Sequence, residues 1–244
     1  MCAVMITGSM HTFLANARRL ESLIEVLAKD ADAHRAAITS LEQIKHPGES
    51  VSRFQEVTEQ LGNYLVVRLF VHEWYSVMEV TFAEAFLHDV LVECAAVDPQ
   101  LMSDSKQSAS YEELQGAASL EDVRLQLRGR WAKNFIDRGG PSTWLDRFTR
   151  MGAKQFPEGL ADRLEELWGV RHLVVHHAGR LTNDFIKRHS TFTAMNDGRL
   201  SLDKQKVLGY VQDVSTLVEV VDRFVVNRYG DRLPLVSYEL PTSG

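Results

Sequence analysis

Several features are scarce or absent in this sequence of 244 residues, and each absence narrows the class of protein. There are only two cysteines, Cys2 and Cys94, and no C-x-x-C pair. The sequence therefore excludes a disulfide framework and a structural zinc knuckle, and it fits a reducing compartment. No apolar run approaches the roughly 18 residues of a membrane span, because Arg68 interrupts even the segment LVVRLFV. We therefore expect a soluble protein with no membrane partner.

Positive charge is also in short supply. The 33 acidic residues outnumber the 27 lysines and arginines and give a net charge of −6, so the protein is not a general nucleic-acid coat. Any RNA binding must come from a local patch. The sequence has no glycine-rich phosphate loop, no internal repeat and no alternation of strands with helices. The first residues, MCAVMITGSM, lack a basic segment and a cleavage site, so we expect a cytoplasmic protein.

Hydrophobic periodicity is the main positive signal, and it is helical. Between about residues 12 and 45, apolar or small side chains recur three or four positions apart, which predicts a long amphipathic helix. His46-Pro47-Gly48 ends it. A second long helix, or two helices joined near Gly62-Asn63, follows to about residue 96. With 45% hydrophobic residues, the chain can bury a sizeable core, and the predicted fold class is all-α.

Capping signals divide the rest of the chain into shorter helices. Ser119 with Asp122 resembles a capping box, and Thr182 begins a short helical turn. Gly179 is expected to end a helix in a left-handed conformation. Helix starts are predicted at Ser119, Pro141 and Ser201, and Pro157 is expected at the first turn of a further helix, LADRLEELWGVRHLVVHHA.

Basic residues are concentrated between residues 119 and 154, with Trp131 and Trp144 among them. This pattern is typical of a solvated helix face with two core tryptophans, but it also fits a surface that follows RNA phosphates and offers a ring for base stacking. The candidate RNA-binding residues here are Arg128, Arg130 and Lys133.

The stretch VRHLVVHHAGR places three histidines and two arginines near the end of an otherwise apolar helix. Histidine can take or give a proton near neutral pH, and arginine offers a fork of donors for phosphate oxygens. These groups suit RNA cleavage without a metal, in which a 2′-hydroxyl loses a proton and the 5′-oxygen leaves with one. We assign proton transfer to His176, phosphate binding to Arg171 and an orienting role to His172. His177 and Arg180 are further RNA-binding candidates.

Helical geometry limits how these residues meet. At about 100° per residue, Arg171 and His176 lie about 140° apart around one regular helix. Either the last turn before Gly179 relaxes, or a two-fold dimer brings two copies of the helix together. Glu79 and Glu84, on an earlier helix, are either ordinary solvated or paired carboxylates or acids that support the site residues, and neither is assigned to the site.

Two other interpretations of the histidines stay open. His172 and His176 are four residues apart, a spacing that can hold a metal if His177 or His189 supplied a third ligand. Alternatively, the histidines only cap carbonyls at the helix end. Because no H-E-x-x-H pattern is present, the prediction assigns no metal and no cofactor.

The run RHLVVHHAGRLTNDF resembles the signature of HEPN proteins, in which an arginine and a polar residue precede a histidine, here Arg171, His172 and His176. Its extension from Gly179 to Phe185 is similar to members linked to bacterial defence and toxin systems. The resemblance implies a HEPN-type helical bundle that dimerises into a metal-independent endoribonuclease, acting as a toxin or antiviral effector. It also implies an alternative, a catalytically inactive scaffold that binds a partner protein or nucleic acid.

The resemblance leads to a division of the chain into three parts. We expect an N-terminal helical arm over residues 1–48, a HEPN helical domain over residues 49–232 and a C-terminal tail over residues 233–244. The implied partners are RNA, a second copy of the chain and an antitoxin or another protein of a defence system.

Overall fold

The computed structural model describes residues 3–20, 22, 50–190, 192, 194–195 and 197–239, with the backbone alone for residues 50–70. Helix α1 is described over residues 8–20, which confirms only the start of the predicted N-terminal helix. The rest of that helix, and the Leu20 to Leu41 apolar stripe within it, lie largely outside the described residues. The remaining helices are α2 (Ser50–Val97), α3 (Tyr111–Gly116), α4 (Leu120–Asp137), α5 (Pro141–Met151), α6 (Leu160–His177), α7 (Asn183–Arg188) and α8 (Lys204–Tyr229).

The predicted all-α class is confirmed, with one addition. Two strands of four residues, β1 (Ala3–Ile6) and β2 (Val236–Glu239), pair antiparallel with Ala3 opposite Glu239. The predicted C-terminal tail therefore contains a strand, which the sequence analysis did not foresee. No helix in the described ranges is long and apolar enough to cross a membrane.

Helix boundaries follow the capping signals at most positions. The Ser119 hydroxyl accepts a hydrogen bond from the Asp122 amide (3.1 Å), as the capping motif predicts. Helix α6 begins at Leu160, the first residue of the predicted segment LADRLEELWGVRHLVVHHA, and Pro157 lies in the turn before the helix. One predicted start is wrong, because the carboxylate of Asp203, not Ser201, caps α8 by accepting from the amide of Lys206 (2.7 Å). Of the two alternatives for residues 50–96, the single long helix is confirmed, because α2 is continuous through residue 62.

The chain forms two compact units whose limits differ from the predicted boundaries at residues 48 and 232. The first unit comprises Met1–Asn16, Glu79–Gly169 and Gly209–Gly244, and the second comprises Ala17–Met78 and Val170–Leu208. Both ends of the chain thus belong to the first unit, because β1 pairs with β2.

An apolar stripe on α8 builds much of the core of the first unit. Val214, Leu217, Val218 and Val221 are all fully buried, at the three- and four-residue spacing of one helix face. A polar contact beside the sheet is also buried, since the amide and hydroxyl of Thr7 both donate to one carboxylate oxygen of Asp222, at 3.1 and 2.6 Å.

Trp144 belongs to the core of the first unit. Its side chain is 2% exposed. The indole nitrogen donates to the carbonyl of Ile136 at 2.9 Å, and the ring packs edge-on against Trp168. Since a buried ring cannot stack on a base, Trp144 is excluded from the predicted RNA-binding surface.

The second unit has a smaller described core around the end of α6. Tyr75, Leu173, Phe185 and Leu200 are each at most 3% exposed. His72 contributes a polar link, because its Nδ1 donates to the carbonyl of Leu202 at 3.0 Å. This core holds the C-terminal end of α6, where the sequence places the candidate catalytic residues.

Candidate active site

The apolar stripe of α6 determines which way its histidines face. Leu164, Leu167, Val170 and Leu173 are buried, each with at most 1% of its surface exposed. Residues that lie off this stripe are turned away from the core. His176 is accordingly exposed to solvent, together with His172 and His177.

The three histidines form one cluster at the surface of the second unit. The ring centroids of His172 and His176 are 4.7 Å apart, as expected for side chains one helical turn apart. The His172 and His177 centroids are separated by 5.4 Å. The imidazole of His172 thus lies beside those of His176 and His177, which gives the site several groups that can exchange protons.

The environment of His172 favours its neutral form. Desolvation lowers the pKa of this imidazole below its ordinary value of 6.5. The neighbouring positive charges, above all that of His176, lower the pKa further. At neutral pH the ring of His172 is therefore unprotonated and able to accept a proton.

Arg171 occupies a different side of the helix. Its side chain is half-buried, and the backbone remains helical as far as His177. The first predicted route, a relaxed last turn, is therefore wrong, and Arg171 and His176 keep the separation of about 140° expected of a regular helix. Arg171 nevertheless contributes to the positive potential that lowers the pKa of His172.

Gly179 ends the site helix as predicted. Ala178 and Gly179 have φ angles of 50° and 75°, so the chain leaves α6 in the left-handed region. The Gly179 amide donates to the carbonyl of Leu173 at 3.0 Å, and the Gly179 carbonyl accepts from the amide of Leu200 at 2.8 Å. An isolated bridge pairs Arg180 with Arg199. These bonds hold the chain after the histidine cluster against the segment that precedes α8.

Glu73 is a buried acid behind this turn that the sequence analysis did not identify. Its side chain is 2% exposed and forms an ion pair with Arg199 at 3.0 Å. A Cβ atom at Gly179 would lie 2.9 Å from a Glu73 oxygen, so the carboxylate packs directly on the glycine backbone. Burial raises the pKa of Glu73, and Arg199 partly offsets this rise.

The two predicted supporting acids, Glu79 and Glu84, both belong to the first unit. The Trp168 indole donates to Glu84 at 2.9 Å, which gives that carboxylate a structural role within its own unit. Glu79 is 1% exposed. In the second unit, the acid next to the end of the site helix is Glu73.

The predicted RNA-binding residues fall into two groups. His177 and Arg180 are exposed in the second unit, at the histidine cluster and just after it. Arg128 and Arg130 lie on α4, where Arg128 pairs with Glu121 at 2.5 Å and Arg130 with Glu113 at 3.1 Å. Lys133, also on α4, is exposed. Both α4 arginines are thus paired with carboxylates, and their role in RNA binding stays a prediction.

The metal interpretation finds no ligand set in the part of the chain that the structure describes. No three histidine, cysteine or carboxylate side chains converge there in an arrangement that could hold a metal ion. The clustered imidazoles of His172, His176 and His177 can still exchange protons with a bound substrate and with one another.

Comparison with known proteins identifies no relative. No protein-family model, no curated protein and no solved structure matches this chain. The similarity of the segment from Arg171 to Phe185 to the HEPN signature therefore stays a prediction.

Proposed function

We propose that this protein is a metal-independent endoribonuclease of the HEPN type. The observation that carries the proposal is the exposed cluster of His172, His176 and His177 next to Arg171 on α6. Imidazoles supply proton transfer and a guanidinium supplies phosphate binding, so α6 carries each type of group that RNA transesterification needs. We further propose a toxin or antiviral-defence effector that acts in the cytoplasm, where RNA is accessible.

In the proposed reaction, the imidazole of His176 accepts the proton of a 2′-hydroxyl while the 2′-oxygen bonds to phosphorus. The bond from phosphorus to the 5′-oxygen then breaks, and a protonated imidazole of the cluster gives that oxygen its proton. The products are a 2′,3′-cyclic phosphate and a 5′-hydroxyl. Arg171 binds the non-bridging oxygens as they gain negative charge. His172, whose lowered pKa keeps it neutral, orients His176 or relays its proton.

A two-fold dimer is part of the proposal, because Arg171 and His176 face different sides of α6. If two copies of α6 meet, Arg171 of one copy can reach the substrate held by His176 of the other. Exposed apolar side chains support such a contact, since Val175 is 50% and Ile186 is 42% exposed. Both residues belong to the second unit, as the histidines do.

The same two apolar residues favour a second candidate function. A catalytically inactive HEPN scaffold would use exposed apolar side chains such as Val175 and Ile186 to bind a partner protein, for example an antitoxin or a defence component. On that alternative the histidines contact the partner and transfer no proton. The two functions differ in whether RNA is cut.

Cleavage of RNA by matched variants tests the proposal. Purified wild type, Arg171→Ala, His176→Ala and His88→Ala are incubated with total RNA. His88 is the control, because it is a partly exposed histidine of the first unit that contacts Asp89. We expect cleavage by the wild type and the control, and a loss of about 100-fold or more in the two site variants.

The oligomeric state and the melting temperature of each variant are measured alongside cleavage. Loss of activity with an unchanged melting temperature supports a catalytic role for Arg171 and His176. Equal activity in all four proteins contradicts the proposed site. Intact RNA with every protein, together with stable capture of a partner protein that depends on Val175, favours the scaffold.

A further inference from the structure

A group of exposed basic side chains surrounds the C-terminal end of α5 in the first unit. We call it the α5 basic surface, and its open cations are Lys106, Arg138, Arg150, Lys154 and Arg223. None of the five forms an ion pair with any residue that the structure describes. In a protein of net charge −6, such a concentration of unpaired positive charge calls for an anionic ligand.

Two clefts border this surface. One of about 690 Å³ includes Lys106, Arg138 and Arg150 in its wall, and Asp104 is its one lining carboxylate. The second, of about 330 Å³, includes Lys154 and Arg223. The consecutive residues Met151 and Gly152 line the first and the second cleft respectively, so the two clefts lie on either side of the end of α5.

Arg147 strengthens the positive potential of the larger cleft. Its guanidinium donates to the carbonyls of Phe135 (2.6 Å) and Arg138 (3.0 Å) and so caps the end of α4. Burial lowers the pKa of Arg147, and the charges of Arg150 and Arg138 lower it further. The guanidinium groups therefore repel one another, and a bound anion would offset this electrostatic repulsion.

The chemistry of the larger cleft favours RNA over other polyanions. Trp131 lines it and is half-buried, so part of its ring is open to stack on a base. Gln107 and Asn134 add amide groups that can contact base edges. None of the large exposed apolar side chains of the described chain lines either cleft, so the surface lacks the anchors of a membrane-binding face.

We propose that the α5 basic surface binds single-stranded RNA, with phosphates along its open cations and one base on Trp131. The inference rests on the proposed function, because the surface would hold the strand that the enzyme cuts. It also moves the RNA-binding prediction away from Arg128 and Arg130, whose charges are neutralised by carboxylates. A duplex fits less well, since stacking on Trp131 requires an unpaired base.

Binding is measured by fluorescence anisotropy with a labelled single-stranded RNA that carries 2′-O-methyl groups throughout. This RNA cannot be cut by attack of a 2′-oxygen, so binding is separated from cleavage. The test variant is the double substitution Arg150→Gln/Arg223→Gln. The control is Arg124→Gln/Lys204→Gln, which removes one exposed positive charge from α4 and one from the first residue of α8, outside both clefts.

The dependence of affinity on salt gives the decisive readout. Loss of two phosphate contacts should lower the slope of log K against log salt by about 1.4, since each contact on a single strand contributes about 0.7. We expect this change, with an affinity at least about tenfold weaker, in the test variant only. Trp131→Leu should weaken binding about tenfold with little change in slope, because stacking releases no counterions.

Three results would overturn the inference. The wild type could fail to bind the methylated RNA at low salt, even if it cuts unmodified RNA, in which case the proposed function would stand without this surface. The two double variants could lose slope equally, which would assign the effect to net charge alone. Finally, vesicles of anionic lipid could bind through Arg150 and Arg223 while the RNA does not, which would make the surface a membrane contact.

Discussion

Replacement of Gly179 by alanine should destabilise the protein more than an equivalent change at Gly198. Both glycines have left-handed backbones, with φ of 75° and 78°, so the alanine strain of about 1–2 kcal/mol is common to both. Nothing lies within 4 Å of a Cβ at Gly198, whereas a Cβ at Gly179 would lie 2.9 Å from a buried oxygen of Glu73. Displacing this carboxylate from its ion pair with Arg199 should add about 1–3 kcal/mol, the usual cost of overpacking.

The assay is urea unfolding of wild type, Gly179→Ala and Gly198→Ala, followed by circular dichroism. We expect losses of about 2–5 kcal/mol for Gly179→Ala and about 1–2 kcal/mol for Gly198→Ala. A Glu73→Ala background should remove most of the difference, because the clash is then absent. Equal losses in the two single variants, or a difference that persists without Glu73, would refute the packing argument.

Three further predictions follow from single groups. Burial raises the pKa of the Glu93 carboxyl above its ordinary 4.5. The stability that the protonated carboxyl contributes is therefore present below pH 4.5 and is lost as the pH rises through the folded-state pKa. Glu93→Gln should reduce this dependence of the free energy of unfolding on pH, as measured by urea titrations. If His172 accepts a proton in catalysis, its lowered pKa should place the acidic limb of the kcat/KM profile below pH 6.5, and a midpoint above 6.5 would exclude that role. Asp203→Ala should cost about 1 kcal/mol as a lost helix cap, while Ser201→Ala should leave thermal stability unchanged.

Local signals account for the parts of the fold that the sequence analysis predicted. Ser119 caps α4, Pro141 opens α5 and Gly179 ends α6 in a left-handed conformation. Each feature depends on residues within one helical turn, so the order of residue types is enough to reveal it. The exposed position of the histidines, which was not predicted, also follows from a local signal, the apolar spacing of α6.

Long-range contacts account for most of the features that were missed. Strand β1 has four residues and pairs with a segment near the opposite end of the chain, so no local sequence pattern predicts it. Glu73 contacts Gly179 and Arg199, each more than 100 residues away in the sequence. Its own neighbours in α2 show only an acidic residue within an apolar helix, so they do not indicate these contacts. Ion pairing of Arg128 and Arg130 likewise depends on the folded positions of Glu121 and Glu113.

The starts of two helices, α3 and α8, were missed although local capping residues mark them. Ser110 and Glu113 form a complete capping box at the start of α3, a helix that the sequence analysis did not predict. Asp203 lies two residues after Ser201 and is an equally good cap, so the sequence left two starts for α8 and the structure has the later one.

The end chemistry of RNA fragments tests the central claim most directly. Wild type and His176→Ala are incubated with total RNA in EDTA, and the new 3′ ends are analysed. The account predicts 2′,3′-cyclic phosphate ends with the wild type, none with His176→Ala, and no effect of the chelator. Cleavage that EDTA abolishes, that leaves 3′-hydroxyl ends, or that survives in His176→Ala would contradict it.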